Sequence, residues 1–168
     1  MLTRNFYSHM RATMQKTSAD FTMVDGSTGS HGNGEVSTSG AFAPFSAMTT
    51  YAEQATARGV SFGTGTTPAK VTDYCLENPI TSGLTVITPS ATTYNRTEKY
   101  EEYTVTFGVT STNTVTISEI GLKCNPSYTT PNNQMVAMVD RTVLENPIEI
   151  PAGQSKQITY TIRFNYPT

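Results

Sequence analysis

Residues 158–164, with the sequence ITYTIRF, indicate the fold class because apolar and polar side chains alternate along them without a break. One set of positions holds Ile158, Tyr160, Ile162 and Phe164, and the other holds Thr159, Thr161 and Arg163. Successive side chains of a β-strand point to opposite faces of its sheet, so this stretch predicts a strand with one buried and one wetter face. Residues 103–107, with the sequence YTVTF, predict a second strand of the same kind.

The composition extends this prediction to the whole chain. It has 31 threonines against 5 leucines, and threonine suits a pleated, half-buried surface whereas leucine favours helices. The segments with β-prone patterns are 42–51, 59–62, 71–76, 84–88, 100–110, 114–123, 135–144 and 156–164. Short strands at this spacing are typical of a β-sandwich, so we predict an all-β fold of the immunoglobulin-like or jelly-roll-like kind.

Two of these segments are close enough in sequence to pair directly. Residues 103–110 and 114–122 both alternate, and only the polar turn Ser111-Thr112-Asn113 separates them. Alternating runs joined by a short polar turn favour a β-hairpin. We therefore predict that these two segments form an antiparallel hairpin.

The beginning of the chain differs from the rest, which predicts an N-terminal arm at residues 1–40 and a β-sandwich domain at residues 41–168. A chain of 168 residues is long enough for one compact domain with a sizeable core. Residues 25–40 are rich in glycine and serine, which predicts a loop or a hairpin with a wide tip.

The arm contains a predicted helix at residues 3–16, in which Phe6, Met10 and Met14 recur every four positions. A helix of this length is marginal in water, so its apolar side is expected to dock, either on the protein's own body or on a neighbouring subunit. We predict these three side chains as assembly contacts.

The pentapeptide LENPI occurs twice, at residues 76–80 and 144–148. Proline has no amide hydrogen for a β-ladder and pushes the preceding asparagine out of the helical region. Pro79 and Pro147 are therefore predicted at strand ends or sheet edges, outside central ladder positions, where one pairing stops and another begins.

Four charged residues lie in or beside β-patterned runs, and we predict a structural role for each: Asp73, Glu119, Asp140 and Arg141. A planar guanidinium can bind a carboxylate through two nitrogens, so Arg141 is expected to pair with Glu119 or Asp73. Asp73 and Asp140 are the carboxylates expected to meet inside the body.

The charge and hydropathy patterns bear on possible partners. The formal net charge is −2 and charged residues make up 14% of the chain, which disfavours direct binding to a phosphate backbone. No apolar run approaches the 18 residues of a membrane span, and the first 14 residues include Arg4, His9 and Arg11 in place of a signal peptide's apolar core. We expect a soluble protein that is made in the cytoplasm without export.

Candidate catalytic residues are scarce. The two histidines, His9 and His31, fall outside the predicted β body, and Cys75 and Cys124 have no CxxC or His-Cys neighbours. Two buried thiols are favoured over a zinc site or a disulfide. We predict no catalytic residue, no metal ligand and no organic cofactor, and therefore not an enzyme.

An ordered series of short motifs resembles a known class of proteins. The series comprises GTGTTP at 63–68, TDY at 72–74, ISEIGL at 117–122, DRTVL at 140–144, IPAG at 150–153 and TYTI at 159–162, with Pro-Ile after each LEN. It is similar to small β-rich structural proteins of tailed bacteriophages, over residues 59–164. The resemblance implies a non-enzymatic part of the neck, tail or capsid surface of a virion, made in the host cytoplasm, with other virion proteins and copies of itself as partners.

The alternative is a carbohydrate-binding or adhesive module on the particle surface, since sandwiches often carry such sites on their loops. The chain has nine tyrosines and no tryptophan, and Tyr94, Tyr100 and Tyr128 are the natural stacking candidates for a host-surface glycan.

Overall fold

A computed structural model describes residues 1–15, 19–31, 51–53, 58–88, 92–124 and 136–167. These ranges contain one helix, α1 (Arg4–Gln15). The strands in them are β1 (Ala19–Thr22), β2 (Thr28–His31), β3 (Gly59–Gly63), β4 (Leu84–Ile87), β5 (Thr93–Arg96), β6 (Tyr100–Ser111), β7 (Val115–Cys124), β8 (Ala137–Ile150) and β9 (Ser155–Asn165). Every pairing between these strands is antiparallel, so the prediction of a mostly β protein is confirmed.

The strands form three sheets. Among the described strands, β1 and β2 pair with each other, and β3, β7 and β8 form a three-stranded sheet in that order. In the third sheet, β4 pairs with residues 108–111 of β6 and β5 with residues 101–104. Strand β9 pairs with β6 along residues 100–110. The two short strands therefore share one side of β6, and β9 occupies the other.

The three-stranded and four-stranded sheets share one core. The ring of Phe62 on β3 meets the ring of Phe107 on β6 edge-to-face, with centroids 6.0 Å apart, and both side chains are fully buried. The alternation in ITYTIRF is reproduced, since Ile158, Tyr160 and Ile162 are buried while the residues between them are exposed. Burying this apolar surface is the main source of stability.

The predicted hairpin of residues 103–110 with 114–122 is wrong. Strand β6 belongs to the four-stranded sheet and β7 to the three-stranded sheet, so the turn at Ser111 carries the chain from one sheet to the other. The Ser111 hydroxyl donates to the Asn113 carbonyl and stabilises this connection. Alternation specifies the faces of a strand but not its partner, and β7 is buried on both faces for most of its length.

The other predicted strands agree in part. Five of the eight, at 59–62, 84–88, 100–110, 114–123 and 156–164, correspond to β3, β4, β6, β7 and β9. The strand predicted at 135–144 continues to Ile150 in β8. The strand predicted at 71–76 is wrong, because the Asp73 amide donates to the Lys70 carbonyl and closes a turn at residues 70–73, and residues 74–76 lie outside the strands. The segment at 42–51 lies outside the described residues except for Tyr51.

The predicted helix forms and docks on the protein's own body, which was one of the two alternatives. Phe6 is buried in the main core cluster, and its ring stacks on Phe164 at 6.0 Å. Phe6 as an assembly contact is therefore wrong, because the body already covers its side chain. Met10 is 43% exposed, so its role in assembly stays a prediction, and the side chain of Met14 lies outside the described residues.

Main-chain contacts also tie the N-terminal segment to the edge of β8. The amide of Thr3 donates to the Val139 carbonyl at 3.0 Å, and that of Val24 donates to the Val136 carbonyl at 3.0 Å. The side chain of Asn5 donates to the Met138 carbonyl at 3.1 Å and to that of Thr22 at 2.8 Å. Residues 19–31 form the β1–β2 hairpin, so of the two predictions for residues 25–40 the hairpin holds as far as residue 31.

Candidate functional site

A buried charge network surrounds Arg141 on β8. Its Nε donates to Glu119 of β7 at 2.8 Å, and its NH1 donates to Asp73 at 2.7 Å. The third nitrogen donates to the Thr67 carbonyl at 3.2 Å and lies 3.4 Å from Glu77. The guanidinium thus binds three carboxylates through different nitrogens. The predicted pairing of Arg141 is confirmed for both Glu119 and Asp73, whereas Glu77 was missed.

Burial and charge act in opposite directions on this guanidinium. Arg141 is 3% exposed, and its burial disfavours the charged form, but its hydrogen bonds to Asp73 and Glu119 more than offset that effect and raise its pKa. Arg141 therefore remains a cation among these carboxylates. This environment suits a structural ion network.

Glu119 also organises the loop that runs from β3 over the network. Its carboxylate accepts hydrogen bonds from the backbone amides of Gly65 at 3.1 Å, Glu77 at 3.1 Å and Asn78 at 2.8 Å. The side chain is fully buried. Three amides and one guanidinium satisfy both oxygens, which is how a buried carboxylate avoids an uncompensated desolvation cost.

Close packing against Glu119 explains the glycines of GTGTTP. A Cβ on Gly65 would lie 2.6 Å from the Glu119 carboxylate and 2.6 Å from the Glu77 Cβ. We expect Gly65→Ala to lower the free energy of unfolding by about 1–3 kcal/mol, because the loop must shift and weaken the amide contacts to Glu119. Urea denaturation followed by circular dichroism measures this change.

Gly108→Ala is the matched control for the Gly65 variant. A Cβ there would meet Ile87 at 3.6 Å, an ordinary contact distance, and Gly108 lies inside strand β6. We expect a change of less than about 1 kcal/mol, of either sign. If the two variants lost the same free energy of unfolding, contact with Glu119 would not determine the conformation of the loop.

Asp140 lies next to Arg141 on β8 but faces the other way. Its carboxylate accepts from the Tyr160 hydroxyl at 2.6 Å and lies 2.9 Å from the α-ammonium group of Met1. The predicted meeting of Asp140 with Asp73 is therefore wrong, because successive strand residues point to opposite faces. Burial, and after it the nearby Asp140, raises the pKa of Tyr160 well above its usual value, so the hydroxyl stays a proton donor.

The two LENPI copies differ in their surroundings. Pro79 lies outside the strands, in an isolated bridge with Gly63, as predicted. The prediction that Pro147 lies at a sheet edge and outside the paired ladder positions is confirmed, but Pro147 lies within the bounds of β8 and not at a strand end. The ladder with β7 is nevertheless interrupted there, because its register shifts between the Ile117–Ile148 and Glu119–Val143 pairs. Strand β8 is an outer strand of its sheet, where a missing amide hydrogen is tolerated.

An apolar cavity of about 160 Å³ lies between the first LENPI copy and the three-stranded sheet. Leu76, Ile80 and Met138 contribute to its lining, and so does Lys123. Lys123 is 5% exposed, its Nζ lies 3.4 Å from the Ala52 carbonyl, and burial lowers the pKa of its ammonium group to about 8. A buried lysine of this kind destabilises the folded state while it is charged.

The lowered pKa of Lys123 predicts a pH-dependent stability. Below pH 8 the folded state must bury a charge, whereas between pH 8 and 10.5 the folded lysine is neutral and the unfolded lysine is still protonated. Stability from this group therefore rises with pH across that window. We expect Lys123→Met to raise the free energy of unfolding by about 1–2 kcal/mol at pH 7, and the gain to shrink by pH 9.5.

Urea denaturation at the two pH values measures this effect. The Ser61 hydroxyl still donates to the Ala52 carbonyl in the variant, so this carbonyl keeps a donor. Lys156→Met removes one lysine charge at an exposed position of β9 and should change stability by less than about 0.5 kcal/mol. If the gain for Lys123→Met were as large at pH 9.5 as at pH 7, the buried charge of Lys123 would not be its cause.

The outer face of the four-stranded sheet is a ladder of hydroxyl groups. Thr104 and Thr106 of β6 meet Thr161 and Thr159 of β9, with hydroxyl oxygens 3.0 Å apart in each pair. Among the described residues, β9 pairs with β6 alone. Within the described part of the chain, strand β9 therefore presents an open edge of 11 residues next to this threonine ladder.

The tyrosine candidates for glycan stacking do not form one platform. Tyr94 is 49% exposed and its ring contacts Tyr103 at 5.1 Å. Tyr100 is three positions before Tyr103 on β6, so it lies on the opposite face of the sheet. The Arg163 guanidinium already covers the Tyr100 ring at 4.2 Å, and Tyr128 lies outside the described residues.

The remaining residues considered for catalysis or metal binding are the histidines and cysteines. His9 is buried in α1, and the side chain of His31 lies outside the described residues. Cys75 and Cys124 are both free thiols; Cys124 is buried as predicted, and burial raises its pKa to about 12, whereas Cys75 is half-buried. Within the described ranges, His, Cys, Asp and Glu side chains do not gather in a group of three that could hold a metal ion.

No helix in the described part of the chain has the length and apolar character needed to cross a membrane. Comparison of the chain with protein-family models, with curated proteins and with solved structures gives no match.

Proposed function

We propose that this chain is a structural subunit of a tailed-bacteriophage particle, placed at the neck, tail or capsid surface, and that it acts through contacts between proteins. The proposed architecture is a β-sandwich of the immunoglobulin-like or jelly-roll-like kind. The core shared by the two larger sheets, with Phe62 against Phe107, supports the sandwich. The ordered motif series of residues 59–164 supports the viral setting.

The observation that carries the proposal is the open edge of β9. An edge strand exposes unpaired main-chain donors and acceptors, and natural proteins shorten, bend or cover such strands unless they use them for association. Strand β9 has 11 residues, and its register with β6 shows no shift along its length. A long, regular edge of this kind suits the permanent contacts of a particle.

The charge network supports a scaffold role for the body. Arg141, Glu119 and Asp73 direct their hydrogen bonds at one another and at the loop backbone. They hold the loop of residues 63–80 on the three-stranded sheet, and Asp73, Glu77 and Arg141 also line an open cavity of about 360 Å³.

A carbohydrate-binding module is the second candidate, and the tyrosines weigh against it. Such a module needs an exposed aromatic platform, whereas Tyr94 and Tyr100 lie on opposite faces of one sheet. Saturable binding of host-surface polysaccharide by the purified chain, lost in Tyr94→Ala, would favour this alternative over a purely structural role.

The proposal is tested by the protein composition of particles from the phage whose genome encodes the chain. Particles purified on a density gradient and analysed by quantitative mass spectrometry should contain the chain at a fixed copy number relative to the major capsid protein. A chain that is abundant in infected cells but absent from purified particles would refute the proposal.

A further inference from the structure

We propose that β9 pairs with β9 of a second copy of this chain, antiparallel about a two-fold axis at Tyr160, so that two four-stranded sheets join into one. This inference deepens the proposed function by naming the partner of the open edge, and it rests on that function for its biological setting. The pairing itself is a property of the isolated chain.

The ladder between β6 and β9 shows which main-chain groups face the open edge. At one end the Tyr166 amide donates to the Lys99 carbonyl at 2.8 Å, and at the other the Ser111 amide lies 3.4 Å from the Gln154 carbonyl. Hydrogen-bonded pairs alternate in an antiparallel ladder. The contacts at both ends therefore indicate that the even-numbered residues of β9 form hydrogen bonds with β6. The odd-numbered residues of β9 direct their amides and carbonyls toward the open edge.

All the outward-turned residues are accessible. Each of the six, Ser155, Gln157, Thr159, Thr161, Arg163 and Asn165, is exposed. Their amides and carbonyls form a row that only another extended strand can satisfy along its whole length.

The sequence of β9 is self-complementary about Tyr160, the middle residue of the strand. Thr159 of one copy then stands opposite Thr161 of the other, and this occurs twice. Threonine already faces threonine across β6 and β9, with hydroxyls 3.0 Å apart. The proposed pairing therefore continues a ladder of cross-strand pairs that this sheet already contains.

The other pairs in this register are also compatible. On the inner face Ile158 stands opposite Ile162 of the second copy, which joins two buried apolar side chains. On the outer face Arg163 stands opposite Gln157, so two cations do not meet. The charge of Arg163 is matched within its own copy, because its Nε donates to Glu102 at 2.7 Å.

The other sheet edges are less suited to the same role. The edge of β8 is covered in part by residues 1–3 and 23–24, and the edge of β3 by Ala52 and by Ile80, whose amides donate to Val60 and Phe62. Strands β4 and β5 have four residues each. Among the described strands, β9 combines length, regularity and an uncovered edge.

The test is the oligomeric state of the full chain, measured by sedimentation velocity over a range of concentrations. We expect the parent to dimerise and Thr161→Pro to weaken dimerisation by at least about tenfold, because proline removes an outward amide in both copies. The same proline removes no hydrogen bond to β6, since that amide faces away from it. Thr161→Val is the matched control, which loses the hydroxyl but keeps the amide, and it should still dimerise.

Hydrogen exchange of the parent provides a second measurement that needs no variant. The amides of Thr159, Thr161 and Arg163 should gain protection as the concentration rises through the dimerisation range. A parent that stays monomeric, a proline variant that is folded and dimerises like the parent, or a dimer without this protection would each overturn the pairing. None of these results would alter the particle-composition test, so a failure of this inference is distinct from a failure of the proposed function.

Discussion

Arg141→Met is expected to lower the free energy of unfolding by about 3–5 kcal/mol, because it leaves buried carboxylates without their counter-charge. Glu119 is fully buried and lies 2.8 Å from the guanidinium. Asp73 lies 2.7 Å from it and is only partly accessible. Methionine restores most of the side-chain volume, so the loss reports the missing charge and not a cavity. Urea denaturation at pH 7 measures it.

Arg163→Met is the matched control for Arg141. Arg163 also pairs with a glutamate, Glu102, but half of its side chain is exposed to solvent. An ion pair at the surface contributes less than about 1 kcal/mol, so this variant should be nearly as stable as the parent. If the two arginine variants lost the same amount of stability, the network around Arg141 would not organise the fold as described.

Phe6→Ala is expected to lower the free energy of unfolding by about 3 kcal/mol, because the side chain belongs to the main core. Phe6 is 7% exposed and stacks on Phe164 at the end of β9. Its removal leaves a cavity between the helix and the sheet, and the docked N-terminal segment should loosen with it. Thermal and urea denaturation measure the loss.

Met10→Ala provides the comparison on the same helix. Met10 is 43% exposed and alanine is a good helix former, so the change should stay within about 0.5 kcal/mol. A Phe6 variant as stable as the Met10 variant would mean that the N-terminal segment is a separate arm, as residues 1–40 were first predicted to be.

The sequence predicted the structural features that depend on the local pattern of side chains. Alternation in residues 158–164 identified which side chains of β9 are buried, and charged residues within β-patterned runs identified the partners of Arg141. Both predictions follow from side-chain chemistry and from the two-residue period of a strand, and the second found two of the three carboxylates, since Glu77 was missed. The spacing of Phe6 also predicted a docked helix, although it did not decide between the protein's own body and a neighbour.

The features that the sequence did not predict depend on how distant segments meet. Strands β6 and β7 are adjacent in sequence but lie in different sheets. The alternating pattern did not predict this, because it does not specify which strand pairs with which. Pro147 lies inside β8 and not at its end because β8 pairs with β7 both before and after the interruption. The contacts of Glu119 with loop amides depend on the close approach that Gly63 and Gly65 allow, which becomes evident only in three dimensions.

The most direct test of the proposed structural role is a cryo-electron microscopy reconstruction of intact phage particles whose genome carries the gene for the chain. We expect density that fits the three-stranded and four-stranded sheets, repeated in symmetry-related copies and in contact with other virion proteins. A reconstruction in which every component of the capsid, neck and tail is assigned to other chains would contradict the proposed structural role.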